Sequence, residues 1–261
     1  MRINKRLFVC FAISVIHGIA YSQEIIAHRG ASHYAPENTA ASVRLGYEEG
    51  AEGVEVDVHL SMDNRLMVIH DKSAKRTGGE DLLIKNSHSG DLRKLDVGAW
   101  KSPEFKGEKM PFLEEILDLI PTGKKLVIEL KAGPEILPPL KDAIDNYGKP
   151  ENLILISFGL ETIASAKKLM PDIPAYWLLG NFDKYSLEEA IGIAKENKLD
   201  GLDVGYRLVN QEFMDKMSEA GLDVYVYTVN DAAVAKQLAA MKVKGITTDK
   251  PGWLKEQLSQ E

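Results

Sequence analysis

Beyond the first two dozen residues, short apolar runs alternate with longer stretches in which apolar positions recur every three or four residues. The apolar runs lie at 25–27, 53–58, 126–130, 153–157, 175–179, 201–204, 224–228 and 245–247. The stretches with helical period lie at 38–49, 112–120, 135–146, 160–169, 186–197, 211–220, 231–241 and 251–258. Eight of each in strict alternation predict a one-domain α/β fold, a (β/α)8 TIM barrel. An open doubly wound sheet competes, but its Gly-x-Gly-x-x-Gly phosphate turn is missing. Asn38 or Thr39 is expected to cap the first helix, and Gly221 and Gly245 read as helix stops.

The second run, Val54-Glu55-Val56-Asp57-Val58-His59, alternates small apolar with ionisable side chains. Glu55 and Asp57 therefore project from one strand face, roughly 7 Å apart along the chain. Two carboxylates that close, at a face that should be buried, repel each other and resist desolvation. A hard divalent cation between them removes both difficulties. The next apolar run, 66–69, follows a linker too short for a parallel crossover, so an antiparallel hairpin is expected. A turn centred on Asp63-Asn64 pairs Leu60 with Met67 and Asp57 with His70, bringing an imidazole beside the cation. The polar, glycine-containing segment 72–111 then reads as a small excursion over one end of the barrel.

At 261 residues, 44% hydrophobic and 27% charged, the chain can bury a full core. Its first 22 residues look different. Arg2, Lys5 and Arg6 precede an apolar segment, and Ala20-Tyr21-Ser22 offers small residues where a signal peptidase reads. A signal peptide over 1–22 is expected, cleaved near Ser22-Gln23, leaving a mature domain 23–261 exported to a periplasm or secreted. The apolar segment is too short and interrupted for stable membrane insertion. The single cysteine, Cys10, lies inside it, so the mature domain has no disulfide. Loss of three basic residues takes the net charge from −7 to −10. That surface disfavours nucleic acid, and an anionic substrate needs a local positive site.

In such barrels the working residues stand at the C-terminal strand ends. Those ends carry His28-Arg29, Glu55 and Asp57, Glu129 and Lys131, Ser157-Phe158, Asp203, Tyr227 and Asp249, with His70 added by the hairpin. Glu55, Asp57 and Glu129 make an oxygen site for one divalent cation, Ca²⁺ or Mg²⁺. His28 and His70 can serve as general acid and base. Arg29 and Lys131 supply cationic donors for an oxyanion. Together these suit transfer at a phosphoryl group.

The set His28-Arg29-Gly30, Pro36-Glu37-Asn38-Thr39, Glu52 to Val58, His70-Asp71 and Ile128-Glu129-Leu130-Lys131 resembles the glycerophosphodiester phosphodiesterases. Arg76-Thr77-Gly78, Leu95 to Trp100, Phe105 to Glu108, Tyr227 to Asn230 and Gly245 to Pro251 extend the resemblance over nearly the whole mature chain. The resemblance implies a TIM barrel that hydrolyses small glycerophosphodiesters to glycerol 3-phosphate and an alcohol with a divalent cation. It implies metal binding by Glu55, Asp57 and Glu129, acid–base work by His28 and His70, and phosphate contact by Arg29 and Lys131. It further implies that the glycerol 2-hydroxyl attacks phosphorus first, giving a cyclic phosphate that water opens. Tyr227 departs from the Trp of many relatives, a change at the alcohol or glycerol pocket.

Two other readings use the same residues. A phospholipase of the sphingomyelinase D type would act on lipid and should carry an apolar, aromatic-rich rim. A non-catalytic binding barrel would keep the fold alone, though all seven reactive positions hold competent residue types. Outside those seven, Glu37 is read as part of the first helix cap, and His59 as a solvent-facing hairpin residue. His33 and His88 are read as surface residues, and Asp203 and Asp249 as partners of neighbouring loops. Trp177, Phe158 and Tyr227 either wall the pocket or pack in the core.

Overall fold

Nine strands follow the apolar runs in the computed structural model, which describes residues 23–260. They are β1 (Glu24–Ala27), β2 (Gly53–Leu60), β3 (Leu66–Val68), β4 (Lys125–Leu130), β5 (Leu153–Ser157), β6 (Ala175–Leu179), β7 (Gly201–Gly205), β8 (Asp223–Tyr227) and β9 (Gly245–Thr248). Spatial order runs β1-β9-β8-β7-β6-β5-β4-β2, and β2 pairs back onto β1, which closes a parallel eight-stranded barrel. β3 is the expected antiparallel addition to β2. The expected signal peptide lies outside the described residues.

Around the barrel lie α1 (Ala40–Glu48), α2 (Lys75–Gly78), α3 (Ser89–Leu92), α4 (Leu113–Leu117), α5 (Leu137–Tyr147), α6 (Leu160–Leu169), α7 (Leu187–Glu196), α8 (Gln211–Ala220), α9 (Ala232–Ala240) and α10 (Pro251–Ser259). Their ends follow local chemistry. Thr39, Ser186, Asn210 and Asp231 accept first-turn amide hydrogens at the starts of α1, α7, α8 and α9. Left-handed Gly148 and Gly221 end α5 and α8. Gly245 behaves differently from its expected role as a helix stop: it is the first residue of β9. There a Cβ would lie 2.3 Å from the Tyr225 ring, so the missing side chain makes room for an inward tyrosine.

Both faces of the parallel strands are covered, hence the near-continuous apolar runs. Val54, Val56, Leu126, Ile128 and Trp177 face the helices. Ile26, Val127, Ile154, Ile156, Tyr176, Leu178 and Tyr225 fill the interior. The Trp177 indole donates to the Phe158 carbonyl at 3.2 Å and packs in the outer layer, so it does not wall the pocket. At the N-terminal end, Glu24 accepts from Lys125 and Tyr225, each at 2.6 Å, while Asp223 accepts from Tyr176 and Lys244. A buried hydroxyl left unpaired would cost about 1–3 kcal/mol. This network closes one mouth of the barrel, so only the C-terminal mouth is available for chemistry.

The excursion after β3 lies over that open mouth. It carries a small core of its own, with Met67, Ile69, Ile84, Leu92, Val97 and Met110, to which α2 and α3 belong. Lys101 donates from it to the Ser32 carbonyl at 2.7 Å, tying it to the loop after β1. The hairpin register differs by one residue from the expected one. His59 pairs with Met67 and Leu60 with Leu66, and the Ile69 amide donates to the Asp57 carbonyl at 3.0 Å. Asn64 takes a left-handed φ of 59°, which makes the loop a three-residue Met62-Asp63-Asn64 turn, not a two-residue one.

Candidate active site

Alternation along β2 and β4 points Glu55, Asp57 and Glu129 into the barrel at its open end, with Asp57 level with Glu129 across the ladder. One oxygen from each lies within 4.8 Å of the others, and all three residues are buried. Glu55 Oε1 has no hydrogen-bond partner, and Glu55 Oε2 accepts from the Arg29 amide at 2.9 Å. Burial, and then the charges of Asp57 and Glu129, push Glu55 well above the ordinary carboxylate range. Burial and Asp57 raise Glu129 in the same way. Burial also works against Asp57, but Lys131, Arg29 and His70 outweigh it and hold this carboxyl low. An orphaned buried oxygen in an oxygen-only donor set fits a hard divalent cation.

The two cationic side chains stand against this triad. Lys131 Nζ is 3.0 Å from Asp57 Oδ1 and 2.7 Å from Glu129 Oε1. Arg29 has a left-handed φ of 54°, rare for a residue with a side chain. That turn aims its amide at Glu55 and its Nε at Asp57 Oδ2, 3.3 Å away. Gly30 continues the turn at φ 80°, where a Cβ would sit 2.4 Å from Ser42.

Each imidazole is held by a carboxylate. His28 Nδ1 lies 2.7 Å from Asp249 Oδ1, and Asp249 also accepts from Ser32 and Asn230. His70 Nδ1 lies 2.7 Å from Asp71 Oδ1, and Asp71 accepts from Arg76 Nε at 2.8 Å. Such pairs fix the ring and leave Nε2 for chemistry. Burial lowers His70, while Asp57 and Asp71 oppose the shift in part.

A cavity of about 200 Å³ joins these parts; His28, Arg29, Glu55, His70, Glu129 and Lys131 line it. All seven candidate residues are thus brought together. The buried Ile156, Leu178, Asp203 and Thr247 and the half-buried Tyr227 also line the cavity, with the exposed Phe158. Asp203 Oδ1 and the Tyr227 hydroxyl are buried without a hydrogen-bond partner. Burial, helped by Glu129, pushes Asp203 up to about 8, so it is a neutral acid at pH 7.

Several side chains do more than their sequence context suggested. Asn38 does not cap α1: its amide donates to Asp57 Oδ2 at 2.8 Å, and its oxygen accepts from the Asp57 amide at 3.0 Å. Glu37 is no cap either; it bridges Arg29, at 2.9 Å, and both terminal nitrogens of Arg76. His59 is buried, with Nε2 3.0 Å from the His70 carbonyl, and so holds the backbone that carries the His70 imidazole. Asp249 holds a histidine and does not merely link loops. No local pattern marks these roles; Asn38 takes a left-handed φ of 58° in the structure, a conformation asparagine tolerates. His33 and His88 are exposed, as expected.

Residues 28–253 match the Glycerophosphoryl diester phosphodiesterase family. The chain is 34% identical to the Bacillus subtilis protein YhdW over 88% of its own length and 96% of that protein's. It is 32% identical to a glycerophosphodiester phosphodiesterase of Caldanaerobacter subterraneus subsp. tengcongensis, over 87% and 94% of the two chains. An Oleispira antarctica phosphodiesterase, solved in complex with the product sn-glycerol-3-phosphate, superposes with a TM-score of 0.81 at 28% identity, over 91% and 97%.

Proposed function

Because the chain belongs to the glycerophosphoryl diester phosphodiesterase family, we propose that it hydrolyses small glycerophosphodiesters to glycerol 3-phosphate and an alcohol, with a divalent cation. The observation that carries this reading is the pair of carboxylate-held imidazoles facing one cavity with three buried carboxylates. Glu55, Asp57 and Glu129 would hold Ca²⁺ or Mg²⁺, whose charge would offset the phosphoryl oxygens as the phosphorus centre becomes more crowded. Arg29 and Lys131 bind the same oxygens from the protein side. One imidazole takes the proton of the attacking glycerol 2-hydroxyl and the other gives a proton to the departing alkoxide, which leaves a cyclic phosphate that water then opens to glycerol 3-phosphate. His28 and His70 arrive on separate elements, after β1 and after β3, so they can serve the two opposite oxygens of an in-line displacement. The glycerol end enters the 200 Å³ cavity, where Asp203 and Tyr227 offer otherwise unused hydrogen bonds to hydroxyls.

A lipid-surface substrate is not favoured. Among the described residues, no helix is long and apolar enough to cross a membrane. The exposed large apolar side chains are dispersed: Trp100, Phe158 and the pair Met62 and Leu83 line three different cavities, and Tyr34 stands edge-on to His33, which does not make the continuous aromatic rim that interfacial binding needs. The test is turnover of glycerophosphocholine and glycerophosphoglycerol with added Ca²⁺ or Mg²⁺, followed as release of glycerol 3-phosphate. Activity that EDTA abolishes is expected. Absence of turnover with either cation, or equal turnover in EDTA, would overturn the proposal.

A further inference from the structure

A second, larger cavity of about 650 Å³ adjoins the first and shares Lys131 with it. The charged and titratable groups along it are His59, Lys72, Lys85, Lys131 and Glu135, with Ser61 and Asn64 as uncharged polar neighbours. Glu135 is engaged locally, accepting from the Gly133 amide at 3.2 Å. Lys72 and Lys85 are exposed, and among the described residues neither has a carboxylate partner or a side-chain hydrogen bond. Their backbones are nonetheless held beside each other. The Ile84 amide donates to the Lys72 carbonyl at 3.0 Å, and Ser73 and Leu83 form a bridge. The hairpin that floors this groove is tied to the same segment, because Asp63 accepts from both the amide and the hydroxyl of Ser89.

Two lysines with unpartnered ammonium groups are therefore held side by side by their backbones on a chain of net charge −7, in a groove that leads out from the phosphate-binding Lys131. The inner cavity suits the glycerol end by size and by its orphaned hydroxyl partners, which leaves the outer groove for the alcohol that departs. Resting on the hydrolase reading above, we infer that Lys72 and Lys85 form a leaving-group subsite for alcohols that carry a second negative charge, such as a phosphate ester. A cationic alcohol such as choline meets like charge in the same place and is disfavoured. Because both ammonium groups are exposed, the attraction is moderate and screened by salt.

The experiment compares kcat/KM for three diesters with a common glycerophosphoryl end and choline, glycerol or glycerol phosphate as the leaving alcohol. The phosphate-bearing alcohol should exceed glycerol by about tenfold at low ionic strength, mostly through KM, and the margin should shrink with added NaCl. In the double variant Lys72→Gln/Lys85→Gln that margin should vanish while glycerophosphoglycerol turnover stays within about twofold. Charge reversal, Lys72→Glu/Lys85→Glu, should make choline the better leaving alcohol. Equal turnover of all three diesters, or a preference that survives both double variants, would overturn the subsite and leave hydrolysis intact. No turnover of any diester would overturn both.

Discussion

Asp203→Asn should stabilise the metal-free protein, and increasingly so as pH rises. Asp203 is 3% exposed, one of its oxygens has no partner, and burial moves its pKa from an ordinary 3.8 to about 8. In the unfolded chain the carboxyl ionises freely above its ordinary value, whereas the folded chain keeps the proton until pH 8. The stability this group permits is therefore intact below pH 3.8 and is lost progressively as pH climbs to about 8. Each pH unit inside that window costs about 1.4 kcal/mol, so wild type should lose about 4 kcal/mol between pH 5 and pH 8 from this residue alone. Asparagine matches the neutral acid in shape and never ionises, and every other titrating group is common to the two proteins. Urea unfolding at pH 5, 6, 7 and 8 in EDTA gives the two stability curves. The gap should be smallest at pH 5 and widen steadily with pH, the variant on top. Parallel curves across that range would refute the argument, because Asp203 would then be ionised within the folded barrel.

The cation site makes a separate expectation. Glu129→Gln keeps the shape and removes one ligand charge, so calorimetry should find Ca²⁺ or Mg²⁺ affinity lower by on the order of tenfold, with activity falling too. Unchanged metal dependence would take Glu129 out of the site. Loss of either imidazole, in His28→Ala or His70→Ala, should slow turnover by about a hundredfold to ten-thousandfold, and the wild-type pH–rate profile should be bell-shaped. An activated aryl leaving group should rescue only the variant that lacks the acid; near-normal turnover by both variants refutes the acid–base assignment. Export is tested by sequencing the N-terminus of protein expressed with its first 22 residues, which should begin at Gln23. An intact Met1 in the exported fraction would count against cleavage there.

The barrel was legible because parallel strands buried on both faces must be apolar along their length, and their crossover helices must show a 3.6-residue period. Runs such as Leu153–Ser157 and Ala175–Leu179 therefore carry their own boundaries. Strand parity put Glu55, Asp57 and Glu129 inside, which is a local property of alternation. The hairpin register was not legible, since it hangs on the left-handed conformation of one residue, Asn64. Partners remote in sequence were likewise out of reach: Asp249 meets His28 only because β9 closes the barrel against β1, 221 positions away. Glu37 and Asn38 looked like capping residues because capping chemistry and ion pairing use the same side chains. Folding across the open mouth is what turned them toward Arg29, Arg76 and Asp57. So the local pattern determined the fold class and the seven reactive residue types. Barrel closure and the excursion decided their second partners, the buried proton of Asp203 and the groove beyond Lys131, because each depends on distances between chain segments that no local pattern encodes.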